Sequence, residues 1–348
     1  MTNLAALFGT RLPIVQAPMA GVQAGALAAA VSEAGALGSL PCAMLAPDAM
    51  RVELDLIRAR TQAPLNVNFF CHVQPQPDPT RETRWRNLLA PYYAEFGIDA
   101  AEVAAGPGRL PFSAEAAEVL AAYRPAVVSF HFGLPAQELV ARVKSWGAKV
   151  LASATTVEEA RWLEARGVDA VIAQGVEAGG HRGMFIATDP ARQLGTFALL
   201  PQVVAAVKVP VIAAGGIADA EGVRAAMALG ASGVQAGTAF LLCPEATTSA
   251  IHRAALRARP HETLLTNLFT GRPARGIVNR VMRELGAINP VAPAFPLATA
   301  AIAPLRAKAE AAGSGDFSPL WSGQNATGCR EWPAAEIVRS LARGLEPR

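Results

Sequence analysis

The residues most able to do chemistry lie in one glycine-rich segment, Gln174-Gly-Val-Glu-Ala-Gly-Gly-His-Arg-Gly183. Gly179 and Gly180 have no Cβ, so the backbone there can take positive φ and approach a flat ligand closely. His181 follows directly. An imidazole ordinarily titrates near neutrality, so it can move a proton or hold an anion. Two further glycine-bearing segments stand downstream, Ala213-Ala-Gly-Gly-Ile217 and Gln235-Ala-Gly-Thr238. Gly215, Gly216 and Gly237 expose backbone N–H groups and the Thr238 hydroxyl adds a donor, a set that can hold a phosphate without a lysine. The competing reading of each feature is structural: the histidine bonds a neighbouring carbonyl, and the glycines let strands turn into helices.

For these segments to meet, the chain must bring several strand ends together. Apolar runs predict strands over residues 12–19, 36–43, 64–70, 126–132, 149–153, 169–173, 209–214 and 232–240. Helical patterns separate them, at 23–34, 47–60, 114–123, 135–146, 156–166 and 199–207, then from Asp219 to Gly230, with a last one through about Arg257. Within 135–146, Leu139, Val140, Val143 and Trp146 fall on one face. Thr156 and Glu159 read as a capping box. The strands are apolar throughout instead of alternating, the mark of parallel strands buried on both faces. Eight such units in order predict an α/β chain folded as a closed (β/α)8 TIM barrel. An open doubly wound sheet is the alternative, but six units is its usual count and no Gly-x-Gly-x-x-Gly follows the first strand.

Two stretches break the rhythm. Residues 71–113 carry Pro75, Pro77 and Pro79, then Trp85, Tyr92 and Tyr93, then Gly106-Pro107-Gly108. They read as a long insertion after strand three that covers the catalytic end of a barrel spanning 1–258. Residues 259–348 are punctuated by six prolines between Pro260 and Pro304, with helical patterns only at 305–312 and 334–343. They read as a C-terminal helical appendage packed on the barrel.

Active sites of such barrels lie at the C-terminal strand ends, and the loops after strands seven and eight commonly cradle phosphate. The strand ends here are Met19, Asn68, His131, Gln174, Gly215-Gly216 and Gln235-Ala236-Gly237-Thr238, with His181 just past strand six. Asn68 and Gln174 offer both donor and acceptor, as a flavin's pyrimidine edge requires; the alternative is that they satisfy loop backbone. Met19 either packs against a planar ring or is an ordinary core methionine. Glu177 either orients the His181 ring or is solvated. His131 is a secondary candidate, while His72, His252 and His261 read as structural or exposed. Cys42 and Cys71 lie near strand ends, but nothing beside them would depress a thiol pKa.

Of the 348 residues 52% are hydrophobic and only 17% charged, which favours a large core over disorder. A net charge of +3, with no basic run, fits a small anionic ligand better than nucleic acid. The four scattered cysteines form no Cys-x-x-Cys pair, which argues against a zinc site or disulfide framework and suits a reducing compartment. The first residues show no basic segment followed by an apolar run, and no apolar stretch approaches the roughly 20 residues of a bilayer span. The expectation is a cytoplasmic protein, a monomer or homodimer, with no membrane or nucleic-acid partner.

Gln16-Ala-Pro-Met-Ala-Gly21, Asn66-Val-Asn-Phe-Phe-Cys-His72, Glu177-Ala-Gly-Gly-His-Arg-Gly183, Pro210-Val-Ile-Ala-Ala-Gly-Gly-Ile217 and Gln235-Ala-Gly-Thr238 together resemble the nitronate monooxygenases. These are FMN-dependent barrel enzymes, once called 2-nitropropane dioxygenases. Trp321-Ser-Gly-Gln324 resembles a further element of that family. The Gly-Gly-His-Arg-Gly loop is the most specific part; the phosphate motifs are shared by many barrels. The resemblance implies that Asn68, Gln174, Gly179, Gly216 and the run Gln235, Ala236, Gly237 and Thr238 contact FMN, and that His181 is the active-site residue. It implies oxidation of an alkyl nitronate, or its parent nitroalkane, to a carbonyl compound and nitrite, with O2 reoxidising the flavin. The family places tyrosines around the substrate; Tyr92 and Tyr93 of the insertion are the candidates to reach in. Two other readings stay open: an FMN-dependent NAD(P)H enoyl-thioester reductase, and a non-catalytic barrel that binds a phosphorylated metabolite.

Overall fold

The computed structural model describes residues 4–103, 108–258 and 260–347, so Gly106 and Pro107 of the insertion lie outside the described residues. Eight parallel strands form the centre: β1 (Ile14–Gln16), β2 (Gly38–Pro41), β3 (Leu65–Phe70), β4 (Val127–His131), β5 (Lys149–Ala154), β6 (Ala170–Gln174) and, after the two-residue β7 (Gly180–His181), β8 (Val211–Ala214) and β9 (Gly233–Ala236). Their order is β1-β9-β8-β6-β5-β4-β3-β2. The two ends of that order meet: Val15 bridges Leu37, the Gln16 N–H donates to Leu37 O at 2.9 Å, and the Leu37 N–H donates to Ile14 O at 2.8 Å. The sheet is therefore closed into the expected (β/α)8 barrel, and an open sheet with two free edges is excluded.

The strand sequences explain the layering. In β3 and β6 every residue is buried, because one face fills the barrel and the other meets helices. Val15, Leu37, Val127, Leu151, Ala170, Ile172 and Ile212 pack inside, closed from below by Leu4 and Phe8 of α1 (Leu4–Phe8). Outside the strands lie α2 (Gly25–Glu33), α3 (Pro47–Arg60), then, beyond α4 (Pro79–Glu95) of the insertion, α5 (Ala114–Tyr123), α6 (Gln137–Lys144), α7 (Val157–Ala165), α8 (Thr196–Ala206) and α9 (Ala220–Ala228). No helix among the described residues is long and apolar enough to cross a membrane.

The outer ring is completed from the far end of the chain. The sequence pattern offers α10 (Ala250–Arg257) as the eighth barrel helix, yet α10 packs Leu256 against Leu241, Leu242, Ile277 and Leu320. After α11 (Arg280–Leu285) and α12 (Ala298–Ala311), α13 (Ala334–Ala342) takes the vacant place beside α2, α9 and β1, burying Ile337, Val338 and Leu341. Both helices carry an apolar stripe, and periodicity states that a face is buried without stating what buries it.

The C-terminal quarter is also not purely helical. β10 (Thr263–Thr266) and β11 (Ala274–Ile277) form an antiparallel hairpin, and β7 adds a third strand with Ala274 opposite His181 and Arg275 opposite Gly180. The glycine–histidine segment is thus held as sheet by residues some ninety positions downstream.

The insertion and the C-terminal segment share a second core. Trp85, Leu89, Tyr92 and Tyr93 of α4 pack with Leu268, Val281, Ile302, Leu305 and Phe317. The Tyr93 hydroxyl donates to Ala301 O at 2.6 Å and that of Tyr92 to Glu284 at 2.8 Å. Trp85 is 1% exposed, so Trp85→Ala is expected to cost about 3–5 kcal/mol, read as a lower urea midpoint. A loss below about 1 kcal/mol would contradict a shared core at this point.

Candidate functional site

At the C-terminal end of the barrel one cavity is lined by Met19, Asn68, Gln174, Gly179, His181, Gly215, Gly216, Gln235, Ala236, Gly237 and Thr238. Every strand-end and loop residue singled out from the sequence for the cofactor or for catalysis thus lines it. Phe70, Arg109, Ser129, His131, Ser153, Trp321, Gly323 and Asn325 complete the wall. Tyr92 and Tyr93 do not line it; their hydroxyls are committed to the second core.

One side of the cavity is built from glycine turns. Gly215 has φ +113° and Gly216 φ +72°, and a Cβ on Gly215 would stand 2.8 Å from Thr196 Oγ1. A Cβ on Gly179 would meet Gly323 N at 2.6 Å, so residues 321–325 lie directly against that loop. Thr238 opens a 3-10 turn, Thr238–Phe240, whose first N–H groups have no acceptor inside the turn. The Gly323 N–H donates to Thr238 Oγ1 at 2.9 Å, which leaves the hydroxyl proton free to donate. Asn325 Nδ2 donates to Gly216 O at 3.0 Å, tying the second glycine turn to the same segment. Gln235 Oε1 is buried and has no hydrogen-bond partner.

The opposite side holds His181. Its Nε2 is 2.9 Å from Thr270 Oγ1, and the rings of Phe70, Phe132, Phe295 and Trp321 surround it at 5.5–6.0 Å between centroids. Phe132 reaches this position with φ +72°, a conformation that costs a non-glycine residue about 1–3 kcal/mol. The His181 carbonyl accepts from Gln174 Nε2 at 3.0 Å and His131 Nε2 at 3.1 Å, so the His131 Nδ1, 3.0 Å from Ser153 Oγ, is the acceptor of its ring. His131 supports the loop from below.

Buried charges fix the loop, and several depart from their sequence readings. Arg182 is fully buried and donates to Gly175 O at 2.6 Å, Gln174 O at 2.7 Å and Gln193 Oε1. The Glu159 N–H donates to Thr156 Oγ1, but the Glu159 carboxylate does not return to complete a capping box. It accepts instead from the Thr155 N–H and hydroxyl and from the Phe185 and Ile186 N–H groups at 2.6–3.0 Å. Glu177 does not orient His181; half-buried, it accepts from the N–H and hydroxyl of Thr196 at the start of α8. Gln174 commits both amide atoms to its own loop, to His181 O and from the Gly183 N–H at 2.7 Å. Asn68 gives its NH2 to Ser129 O and Oγ.

Electrostatics corrects the reading of His181 as a group titrating near neutrality. Burial holds its pKa well below the usual histidine range, and the positive charge of Arg109 adds to the effect. At neutral pH the ring is uncharged, so it can accept a proton but offers no positive charge to an anion. Burial likewise takes His131 down to about 3 and His252 to about 4. The thiols of Cys42 and Cys71 are pushed up by burial, which removes them as nucleophiles at neutral pH.

Sequence reasoning missed Arg109, Thr270, Phe295 and Asn325. Each sits in an irregular segment without periodicity, and only the fold brings them beside His181 or Gly216.

The family model described as nitronate monooxygenase matches residues 1–344. A nitronate monooxygenase of Pseudomonas aeruginosa is 45% identical to this chain, across 97% of each. A solved nitroalkane oxidase from Streptomyces ansochromogenes is 42% identical, covering 99% of this chain and 98% of its own, with a TM-score of 0.90. FabK from Thermotoga maritima is more distant, at 28% identity and a TM-score of 0.73 over 99% of this chain and 96% of that one.

The buried neutral histidines make stability depend on pH. Below an unfolded-state pKa of about 6.5 the unfolded chain takes up protons that the folded one refuses, so stability falls with pH from there down towards the folded values. At pH 5.5, above the range of most carboxylates, each such histidine costs about 1.4 kcal/mol relative to pH 7.5. Urea unfolding at the two pH values should therefore differ by about 3 kcal/mol from His131 and His252 together. Equal free energies would show that these rings are protonated in the fold.

Proposed function

The chain belongs to the nitronate monooxygenase family, a flavin-dependent family of oxidoreductases, and on that premise we propose that it holds FMN in the barrel mouth and oxidises an alkyl nitronate with O2 to a carbonyl compound and nitrite. The observation that carries this reading is Gln235 Oε1, a buried acceptor without a partner that lies between the two glycine turns, in the cavity that His181 also lines. An orphaned buried acceptor is costly unless a ligand N–H meets it.

The donor set fits FMN. Gly215, Gly216, Gly237 and Thr238 would take the phosphate through backbone N–H groups and one hydroxyl, at the site where barrels of this kind bind phosphate. Gln235 and the uncommitted Oδ1 of Asn68 would meet the ring's polar edge, with Met19 and Gly179 against its plane. When bound, FMN supplies the two-electron oxidation and delivers the electrons to O2.

The protein's own groups then act on the substrate. A nitronate is already an anion and needs no base, so His181 binds it or polarises it as a neutral ring. A neutral nitroalkane requires His181 to take the α-proton, and its depressed pKa makes it a weak base for that step. Phe70, Phe132, Phe295 and Trp321 exclude water and strengthen every polar contact inside. Together these features favour nitronates over nitroalkanes. Cys42, Cys71 and Cys243 are free thiols, which supports the cytoplasm as the compartment.

The purified protein should be yellow, and an anaerobic alkyl nitronate should bleach it while NADH does not; bleaching by NADH would favour an enoyl-thioester reductase. His181→Asn should lower nitroalkane kcat/KM by about 10²–10⁴-fold and nitronate kcat/KM by about tenfold or less, compared by steady-state oxygen uptake. Equal losses on both substrates would refute this division of labour.

A further inference from the structure

A nitronate must shed water to reach His181, and an anion taken out of water needs a cation beside it. The neutral imidazole does not supply one. Among the described residues, Arg109 is the one arginine that lines the cavity. Arg182 is committed to two carbonyls and Gln193, and Arg275 to Val176 O and Thr263. Arg272 donates to Met184 O, lies over the Phe132 ring at 3.9 Å, and stands outside the cavity wall.

Arg109 is held in place yet left unpaired. Its carbonyl accepts from His72 Nε2 at 2.9 Å, and three residues on, at Phe112, the chain rejoins the barrel, the Phe112 N–H donating to Phe70 O at 2.8 Å. The guanidinium lies 5.6 Å from the Phe295 ring, and the His181 ring lies 5.5 Å from that same ring. Among the described residues the guanidinium donates to no acceptor and faces no carboxylate within salt-bridge distance. The largest single electrostatic influence on His181 after burial is this cation. A guanidinium offers a planar fork that matches two oxygens on one atom, the geometry of a nitronate head.

We propose that Arg109 binds the nitronate oxygens and sets the anion beside His181, so that this residue makes the site selective for the anion over the neutral nitroalkane. The inference rests on the nitronate reading above. It predicts a split between binding and chemistry, because Arg109 acts on the charge that is present before the reaction begins.

The test compares wild type with Arg109→Gln and Arg109→Lys on ethyl nitronate and nitroethane, with nitrate as an inert planar anion. Arg109→Gln should raise KM for the nitronate about tenfold or more with kcat within about threefold, and for nitroethane, whose charge develops only during proton abstraction, should lower kcat with little change in KM. Arg109→Lys should recover part of the nitronate loss. Nitrate should compete with nitronate in wild type and weaken as a competitor in Arg109→Gln by a similar factor. A folded Arg109→Gln, judged by its melting temperature, with unchanged nitronate KM and unchanged nitrate competition would overturn the proposal. If that variant does not fold, Arg109→Met repeats the comparison. Should wild type turn over no nitronate, the functional reading fails, and nitrate affinity read from Trp321 fluorescence still decides the anion site: loss in the variant supports it, and equal affinity overturns it.

Discussion

A hydrogen-bonded chain joining a buried cation to a buried anion sets the shape of the site. The Arg182 guanidinium donates to Gln193 Oε1, Gln193 Nε2 to Thr155 Oγ1, and the Thr155 hydroxyl to Glu159 Oε2. Arg182 also grips the carbonyls that end β6, while Glu159 holds the two N–H groups just beyond Met184. An isolated buried charge costs several kcal/mol, so such ions persist only when their geometry is close to ideal and their remaining donors are matched. Here both ends are saturated. Burial lowers the Arg182 pKa to about 9, which still leaves it charged at neutral pH. The loop that carries His181 is therefore fixed on both sides by charges that have no alternative partner, and its position is set before any ligand arrives.

That rigidity gives the neutral histidine its meaning. A ring set among aromatic side chains and a threonine hydroxyl, with arginine charges nearby, is held below its usual pKa and stays uncharged at neutral pH. On the nitronate reading proposed above, such a site would place the countercharge elsewhere and use the imidazole as a neutral neighbour. Proton abstraction is the harder task for it, since a low pKa weakens the driving force for taking a proton from carbon.

The glycine-turn side of the cavity was legible in the sequence, because its parts are glycines at strand ends and their conformational needs are local. Gly215 and Gly216 take positive φ, and their distance in sequence from Gly237 matters little once eight parallel strands close. The surroundings of His181 were not legible. Glu159 read as a local cap, because the residue it serves lies 26 positions downstream. Gln174 lines the cavity as expected, but its bonds to His181 O and from the Gly183 N–H also fix the loop, which spacing did not reveal. Tyr92 and Tyr93 read as candidates by residue type, but their ring faces were needed to join α4 to the C-terminal helices. In each case a long-range partner decides the side chain's role, and spacing carries no record of that partner.

The chain divides labour between two cores. The barrel strands present the glycine turns, and Gly323 and Asn325 of the C-terminal segment tie them from behind. The chamber around His181 depends on the second core: Phe295, Trp321 and Thr270 come from the C-terminal segment, and Arg109 from the end of the insertion. Gly179 and Gly323 touch where the two meet, too closely for any side chain on Gly179. Substitutions in the second core can therefore change what reaches His181 while the glycine turns stay intact. A structural neighbour at 28% identity that retains the fold over 99% of this chain is what such a division permits. The barrel and its glycine turns can be kept while the segments that close over His181 vary.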